Sequence, residues 1–148
     1  MAIRKGSLFF AKMSELNILY LKQTLFEAKA YTTLGVNDIL SLRNEISKLA
    51  TKFLFSIESY RKSVRKILNL KNKIPIYFNK KLFLFYIKAE NDTLYYINYF
   101  EVFKFCVDKN MIIIFKNGDI LEVEVSKKVI NSEIKKIKLI LNYIENFL

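Results

Sequence analysis

The sequence predicts an α+β fold: a mostly antiparallel β-sheet packed by a C-terminal amphipathic helix and preceded by a basic helical segment. Three observations predict it. Apolar residues recur at i, i+3, i+4 and i+7 in residues 38–55, 60–68 and the C-terminal stretch, which is the period of a helix with one buried face. Between the second and third of these, runs rich in aromatic and β-branched residues alternate with turn residues, as strands do. Asn117-Gly118 between two apolar runs marks a hairpin, so neighbouring strands there run antiparallel. The chain of 148 residues, 52% of them apolar, is long enough to bury a core, and three glycines and one proline leave little for linkers. One domain over 1–148 is the expectation.

Residues 7–34 mix apolar and polar positions without a clean period, and short strands over 17–21 and 25–30 are the reading there. In 38–55, Ile39, Leu42, Ile46, Leu49, Ala50 and Phe53 form the apolar stripe, with Asn37 or Asp38 as cap. Lys48 and Lys52 point away from that stripe. In 60–68, capped by Ser59, the apolar face is Tyr60, Val64, Ile67 and Leu68, and Arg61, Lys62, Arg65 and Lys66 fill the other side. Pro75 ends the helical region by disfavouring helix at Ile74. Strands are expected at 76–78, 82–87 and 94–100, with 102–107 as a further strand continuing the last. Turns are expected at 79–81 and 90–93. A two-residue type I′ loop at Asn117-Gly118 pairs Ile114 with Leu121 and Ile112 with Val123, all four on one face, with Glu122 and Glu124 on the wetter one. The last helix starts near Lys127 or Ser132 and runs to Phe147, with Ile130, Ile134, Ile137, Leu141, Ile144 and Leu148 as its stripe.

Charge is distributed unevenly. The chain carries 25 Lys+Arg against 14 Asp+Glu, a net of +11. Residues 43–88 hold twelve basic residues and two acids, Glu45 and Glu58, so that stretch alone carries +10, against +2 before it and −1 after it. A Lys-rich proteome raises lysine everywhere but does not cluster it. Lys and Arg that neutralise phosphates release counterions, which dominates non-specific nucleic-acid affinity. In 60–68 the i, i+4 pairs Arg61/Arg65 and Lys62/Lys66 are like-charged, at a cost of ~0.2–0.5 kcal/mol each in an isolated helix. Either that charge is kept for an external anion, or it is a solvated face.

Other chemistry is missing. With no His and one Cys, a four-ligand zinc site, a Cys-His or Ser-His pair and an intrachain disulfide are excluded. Cys106, in an apolar run, reads as a small buried hydrophobe. There is no phosphate-binding glycine loop. The carboxylates at Glu90, Asp92, Glu101, Asp108, Asp119, Glu122 and Glu124 mostly fall at turn or exposed-strand positions, so catalytic residues, metal and cofactor are all expected to be none, and the chain is not expected to be an enzyme. The apolar run Leu8-Phe9-Phe10-Ala11, broken by Lys12, is too short for a signal peptide. No run approaches a membrane span. A cytoplasmic protein is expected.

Several segments, in order, resemble the ComK competence transcription factors. Thr51-Lys52-Phe53-Leu54-Phe55-Ser56-Ile57-Glu58-Ser59-Tyr60-Arg61-Lys62 is similar to a family stretch with the pattern Cys-basic-aromatic-aromatic-Gly-x-Ser-Tyr-x-Gly-basic-Lys. Lys73-Ile74-Pro75-Ile76 matches Lys-x-Pro-Ile. Leu82-Phe83-Leu84-Phe85 falls on a Phe-rich strand, Tyr96-Ile97-Asn98 on Trp-Ile or Trp-Leu, and Ile113-Ile114-Phe115-Lys116-Asn117-Gly118 on an apolar strand ending in Asn-Gly. The resemblance covers roughly 46–134. The chain departs from the pattern with Thr51 for Cys, Phe55 and Tyr60 for Gly, Tyr86 for Pro, Tyr96 for Trp and Glu133 for Gln. A divergent, shortened relative without the family's longer tail is the expectation.

The resemblance implies a multimeric activator that binds AT-rich promoter DNA, mainly through the minor groove, where narrow A-tracts attract Arg and Lys. Combined with the charge, it gives Lys48, Lys52, Arg61, Lys62, Arg65 and Lys66, then Lys71 and Lys73, as DNA-binding residues, with Arg61 and Arg65 as those that enter a groove. The expected partners are double-stranded AT-rich DNA and further copies of the chain, with no membrane and no small-molecule cofactor. The alternative is a protein-interaction or adaptor domain of the same fold that has lost DNA binding and uses aromatics such as Tyr95, Tyr99 and Phe100. A peripheral protein on anionic lipid ranks last, for want of an amphipathic helix with a bulky insertion face.

Overall fold

A computed structural model describes residues 17–148. The run 8–11, weighed above as a leader, lies outside them. The architecture is α+β with antiparallel sheets, as expected. Strands β1 (Ile18–Gln23), β2 (Ala28–Thr32) and β3 (Gly35–Asp38) form a meander. Helices α1 (Leu42–Lys52) and α2 (Ile57–Leu68) follow, then β4 (Ile76–Asn79), β5 (Leu82–Lys88) and β6 (Leu94–Asn98). These strands make one six-stranded sheet in the order β3-β2-β1-β6-β5-β4. A 3-10 turn (Tyr99–Glu101) leads into a second sheet, β7 (Val102–Val107), β8 (Met111–Phe115) and β9 (Ile120–Val123), and α3 (Lys127–Phe147) ends the chain.

The sheet order explains where the helices lie. β3 is one edge of the large sheet and β4 the other, so residues 39–75 must cross it, a width of ~24 Å at normal strand spacing. α1 and α2 make that crossing; α1 covers one face together with Ile57 and Tyr60 of α2, while Val64 of α2 packs with the cluster on the opposite face. On the face under α1, its Leu42, Ile46, Leu49 and Ala50 pack on Leu21, Ala30, Ile76, Phe78, Leu82 and Leu84. The opposite face, with Leu19, Phe83, Phe85, Ile87, Tyr95 and Ile97, packs on Met111, Ile113, Phe115, Leu121 and Val123 of the second sheet and on Ile130, Ile137 and Ile140 of α3. Because β5 is covered on both sides, Leu82 to Phe85 is a continuous buried run.

Two polar side chains organise the joints. Asn98, fully buried, accepts from the amides of Phe83 and Phe100 and donates to the carbonyls of Ile18 (2.8 Å) and Lys81 (2.9 Å). It ties three strands together where the chain leaves the large sheet. Tyr60 of α2 donates to the Pro75 carbonyl (2.8 Å) and accepts from the Tyr77 amide (3.1 Å), fixing α2 beside the free edge of β4. Burial pushes the Tyr60 hydroxyl up to about 12.

Several boundaries differ from the sequence reading. The second strand is Ala28–Thr32, because Thr24 to Glu27 close a turn in which the Thr24 hydroxyl accepts from the Phe26 and Glu27 amides. Asn37 and Asp38 lie in β3, and Ser41 caps α1 by accepting from the Asn44 amide. Ser56, one turn earlier than Ser59, caps α2. The strand read over 94–100 ends at Asn98, and 102–107 belongs to the other sheet. Cys106 is half-buried on β7. Leu148 stands 89% exposed, off the buried stripe of α3, while Glu133 and Ile140 join that stripe.

The hairpin register is also corrected. Ile113 pairs with Leu121 and Met111 with Val123, so Ile112 and Ile114 lie on the face away from the core. The Phe115 amide donates to the Asp119 carbonyl and the Gly118 amide to the Phe115 carbonyl. The loop is therefore three residues, closed by Gly118 at φ 95, while Asn117 keeps negative φ and accepts from the Asp119 amide. Positive φ at both central positions, the type I′ requirement, occurs instead in the β5–β6 turn, at Asn91 (58) and Asp92 (54).

Candidate nucleic-acid interface

On the helix-covered face, Leu21, Leu82 and Leu84 disappear under α1 and α2. Further along the same strands, two residues on from Leu84, the helices no longer close over the sheet. A cleft of about 950 Å3 opens there. Its floor is Tyr86 of β5, Tyr96 of β6, Leu94 and Gln23; its walls are the first turns of α1 (Ser41, Leu42, Arg43) and α2 (Ser56, Ile57, Glu58) with Arg61 and Arg65. A smaller recess of about 310 Å3 shares Arg61, Arg65, Tyr86 and Tyr96 and adds Asn72, Lys73 and Ile74.

The side chains are held in specific ways. Tyr86 and Tyr96 pair across the strands, with ring centroids 5.3 Å apart. Arg61 is half-buried and its guanidinium donates to the Tyr96 hydroxyl at 3.3 Å. Arg65 Nε donates to the Lys71 carbonyl at 3.4 Å, and Lys73 Nζ stands 6.0 Å from the centre of the Tyr86 ring. Burial raises the hydroxyl pKa of both tyrosines, and Arg61 partly offsets this at Tyr96. Both hydroxyls therefore remain donors near neutral pH.

The field in the cleft is positive. Arg43, Arg61, Arg65 and Lys73 line it with one carboxylate, Glu58. Among the described residues none of the four cations is within ion-pair distance of a carboxylate. Two helices also begin at its wall, and the N-terminal end of a helix carries partial positive charge.

Of the eight residues expected from the sequence, Arg61, Arg65 and Lys73 come together here. Lys62 and Lys66 are exposed on the outer flank of α2, and Lys71 is exposed in the following loop. Lys48 and Lys52 lie on the opposite flank of α1, beside a hollow of about 550 Å3 that also contains Asp38 and Glu45. Sequence reasoning left Arg43, Tyr86 and Tyr96 out of the candidate set. Their signal was the pairing of β5 with β6, which puts both tyrosines on one face, and the ~100° helical step that turns Arg43 towards the Arg61 side of α1.

The aromatics named for a docking role pack instead. Tyr95 is 5% exposed, and Tyr99 and Phe100 are half-buried against the core. Of the carboxylates considered, Glu101 is buried at 8% exposure and burial raises its pKa. Among the described residues no group of three or more His, Cys, Asp or Glu is placed to hold a metal ion, and no helix is long and apolar enough to cross a membrane.

Fold and cleft define a basic α+β protein with a concave polar surface that suits an anion. A sequence model of the ComK protein family matches residues 41–146, most of the chain and both walls of the cleft. The chain belongs to the ComK family, a family of competence transcription factors rather than enzymes. No curated protein and no solved structure gives a significant match.

Proposed function

We propose that this chain is a cytoplasmic transcription regulator that binds double-stranded, AT-rich DNA as a homo-oligomer. The observation that carries this reading is the convergence of Arg43, Arg61, Arg65 and Lys73 on one cleft containing a single carboxylate. Cations gathered on one concave surface in excess over carboxylates are what a polyanion rewards. Lys62 and Lys66 extend the positive surface outward along α2, and Lys71 borders it. Lys48 and Lys52, beyond α1, are the outermost contacts of the set. Family membership supports the regulatory role.

The test is a competition between duplexes. Purified protein is titrated into a labelled AT-rich duplex against unlabelled AT-rich or GC-rich competitor of equal length. A preference of about tenfold or more for the AT-rich competitor, about 1.4 kcal/mol and within the ~1–3 kcal/mol that one unfavourable base pair costs, is the expected result. Binding without preference would reduce the reading to general nucleic-acid affinity, and no binding at low salt would remove it.

A further inference from the structure

We propose that the cleft seats one phosphate of the DNA backbone between Arg61, Arg65 and Lys73, and that Glu133 and Lys136 of α3 build the seat by fixing the loop that carries Lys73. The proposal rests on the DNA-binding reading and adds a mode of contact: Arg61 and Arg65 hold the backbone and do not enter a groove.

The shape of the site is the first argument. An arginine that probes a narrow minor groove has to extend away from the protein into that groove. Arg61 is instead folded against the sheet, bonded to Tyr96, in the wall of a concavity. The ligand has to reach in. A backbone phosphate protrudes from the duplex, and its oxygens match the guanidinium fork. The Tyr86 hydroxyl on the floor adds a neutral donor.

The second argument is the construction of the loop. Lys73 has φ 49, a conformation that L side chains adopt only at some cost. The loop is held from two sides. Arg65 Nε takes the Lys71 carbonyl (3.4 Å), and Lys136 Nζ takes the carbonyls of Asn72 (2.9 Å) and Lys73 (3.4 Å). Lys136 is fixed in turn by Glu133 Oε2 at 2.7 Å.

Glu133 is 2% exposed, and its Oε1 is buried without a hydrogen bond. It sits in the stripe formed by Ile130, Ile137 and Ile140. A leucine there would cost the core nothing in desolvation, whereas a half-satisfied buried carboxylate is a poor stabiliser. What the carboxylate does achieve is to aim Lys136 at the loop. Groups fixed in advance lose less entropy when the ligand arrives.

The test separates positioning from stability. Glu133→Leu combined with Lys136→Met removes both charges and keeps the volume apolar, so it is expected to melt no lower than wild type. It should nevertheless bind both AT-rich and GC-rich duplexes about tenfold more weakly, the effect of one charged hydrogen bond, and flatten the log–log salt slope by about 0.9. Lys73→Ala, at an exposed position, should give the same loss, and the triple variant no further loss. Full affinity in these variants, or a loss confined to the AT-rich duplex, would overturn the proposal.

Inorganic phosphate is the second probe. It should raise the melting midpoint of wild type, against chloride at equal ionic strength, by more than it raises that of Arg65→Ala/Lys73→Ala. The variant corrects for the general stabilisation by excluded anions. Duplex binding with an equal phosphate effect in both proteins overturns the seat. A wild-type-specific phosphate effect without duplex binding supports the seat and overturns the DNA reading.

Discussion

The large sheet is finished differently on its two faces. One is sealed along its length by the second sheet and α3, and Phe83, Phe85 and Ile97 there are fully buried. The other is sealed by α1 and α2 only at the Leu82–Leu84 end, and at the Tyr86–Tyr96 end it stays open beneath two arginines. The same strands supply both. Identical backbone pairing therefore supports a dry core and a wet charged cleft, and the choice lies in how far the covering helices reach. Changes on the sealed face should act on stability, and changes in the open end on ligand affinity.

The largest expected effect is Phe83→Ala on the sealed face, which leaves a cavity and should cost about 3–5 kcal/mol, read as a lower denaturant midpoint. Next is Arg61→Ala with Arg65→Ala at the open end. It should weaken duplex binding by roughly a hundredfold, two charged hydrogen bonds, while the melting midpoint stays within a few degrees; a large drop in midpoint would erase the distinction between the faces.

Tyr60→Phe, at the edge where the faces meet, orphans the Tyr77 amide and the Pro75 carbonyl and should cost about 1–2 kcal/mol. It also has a pH signature. The folded hydroxyl titrates near 12, above the ordinary value of about 10. Between these the unfolded chain loses the proton first, so wild-type stability should be intact below pH 10 and fall as pH rises towards 12. Tyr60→Phe should lose that part of the alkaline decline, a difference visible in melts across this range.

Gly118→Val places a β-branched residue at φ 95. The space around it is open, so the cost is backbone strain alone, about 1–2 kcal/mol; an unshifted melting midpoint would count against the three-residue loop. The smallest effect is expected from Lys48→Ala with Lys52→Ala, outside the cleft, which should lower affinity only a few-fold.

The fold class was legible because its elements are long and periodic. α3 and β5 stand where the pattern put them, and β6 begins where it was read but ends two residues earlier. β3 was missed because its four residues, Gly35 to Asp38, have no apolar alternation; pairing with β2 makes it a strand, and so Asn37 and Asp38 passed for caps. The hairpin was found at the right place with the wrong register, since Asn-Gly suits both a two-residue and a three-residue loop and only the Phe115–Asp119 pairing decides between them. At Asn98, where the chain passes from one sheet to the other, only the bond from the Phe100 amide is local, and the other three join Ile18, Lys81 and Phe83, which the fold places.

The site was half legible. Clustered charge pointed to Arg61, Arg65 and Lys73. A helix, however, has two flanks beside its apolar stripe, and sequence alone does not say which one borders an opening. That is why Lys48 and Lys52 were grouped with the arginines and Arg43 was not. Glu133 was noticed only as a departure from a family pattern, and its partner Lys136 became evident only when α3 met the loop before β4.

The most direct test of the central claim is the salt dependence of duplex affinity in wild type and in Arg61→Ala/Arg65→Ala. With about six phosphate contacts the wild-type log–log slope should be near −5, and the variant, which loses the seated phosphate, should give up about 0.9 of it on AT-rich and GC-rich duplexes alike. The same slope in both proteins would contradict the account, because the cleft would then take no part in binding DNA.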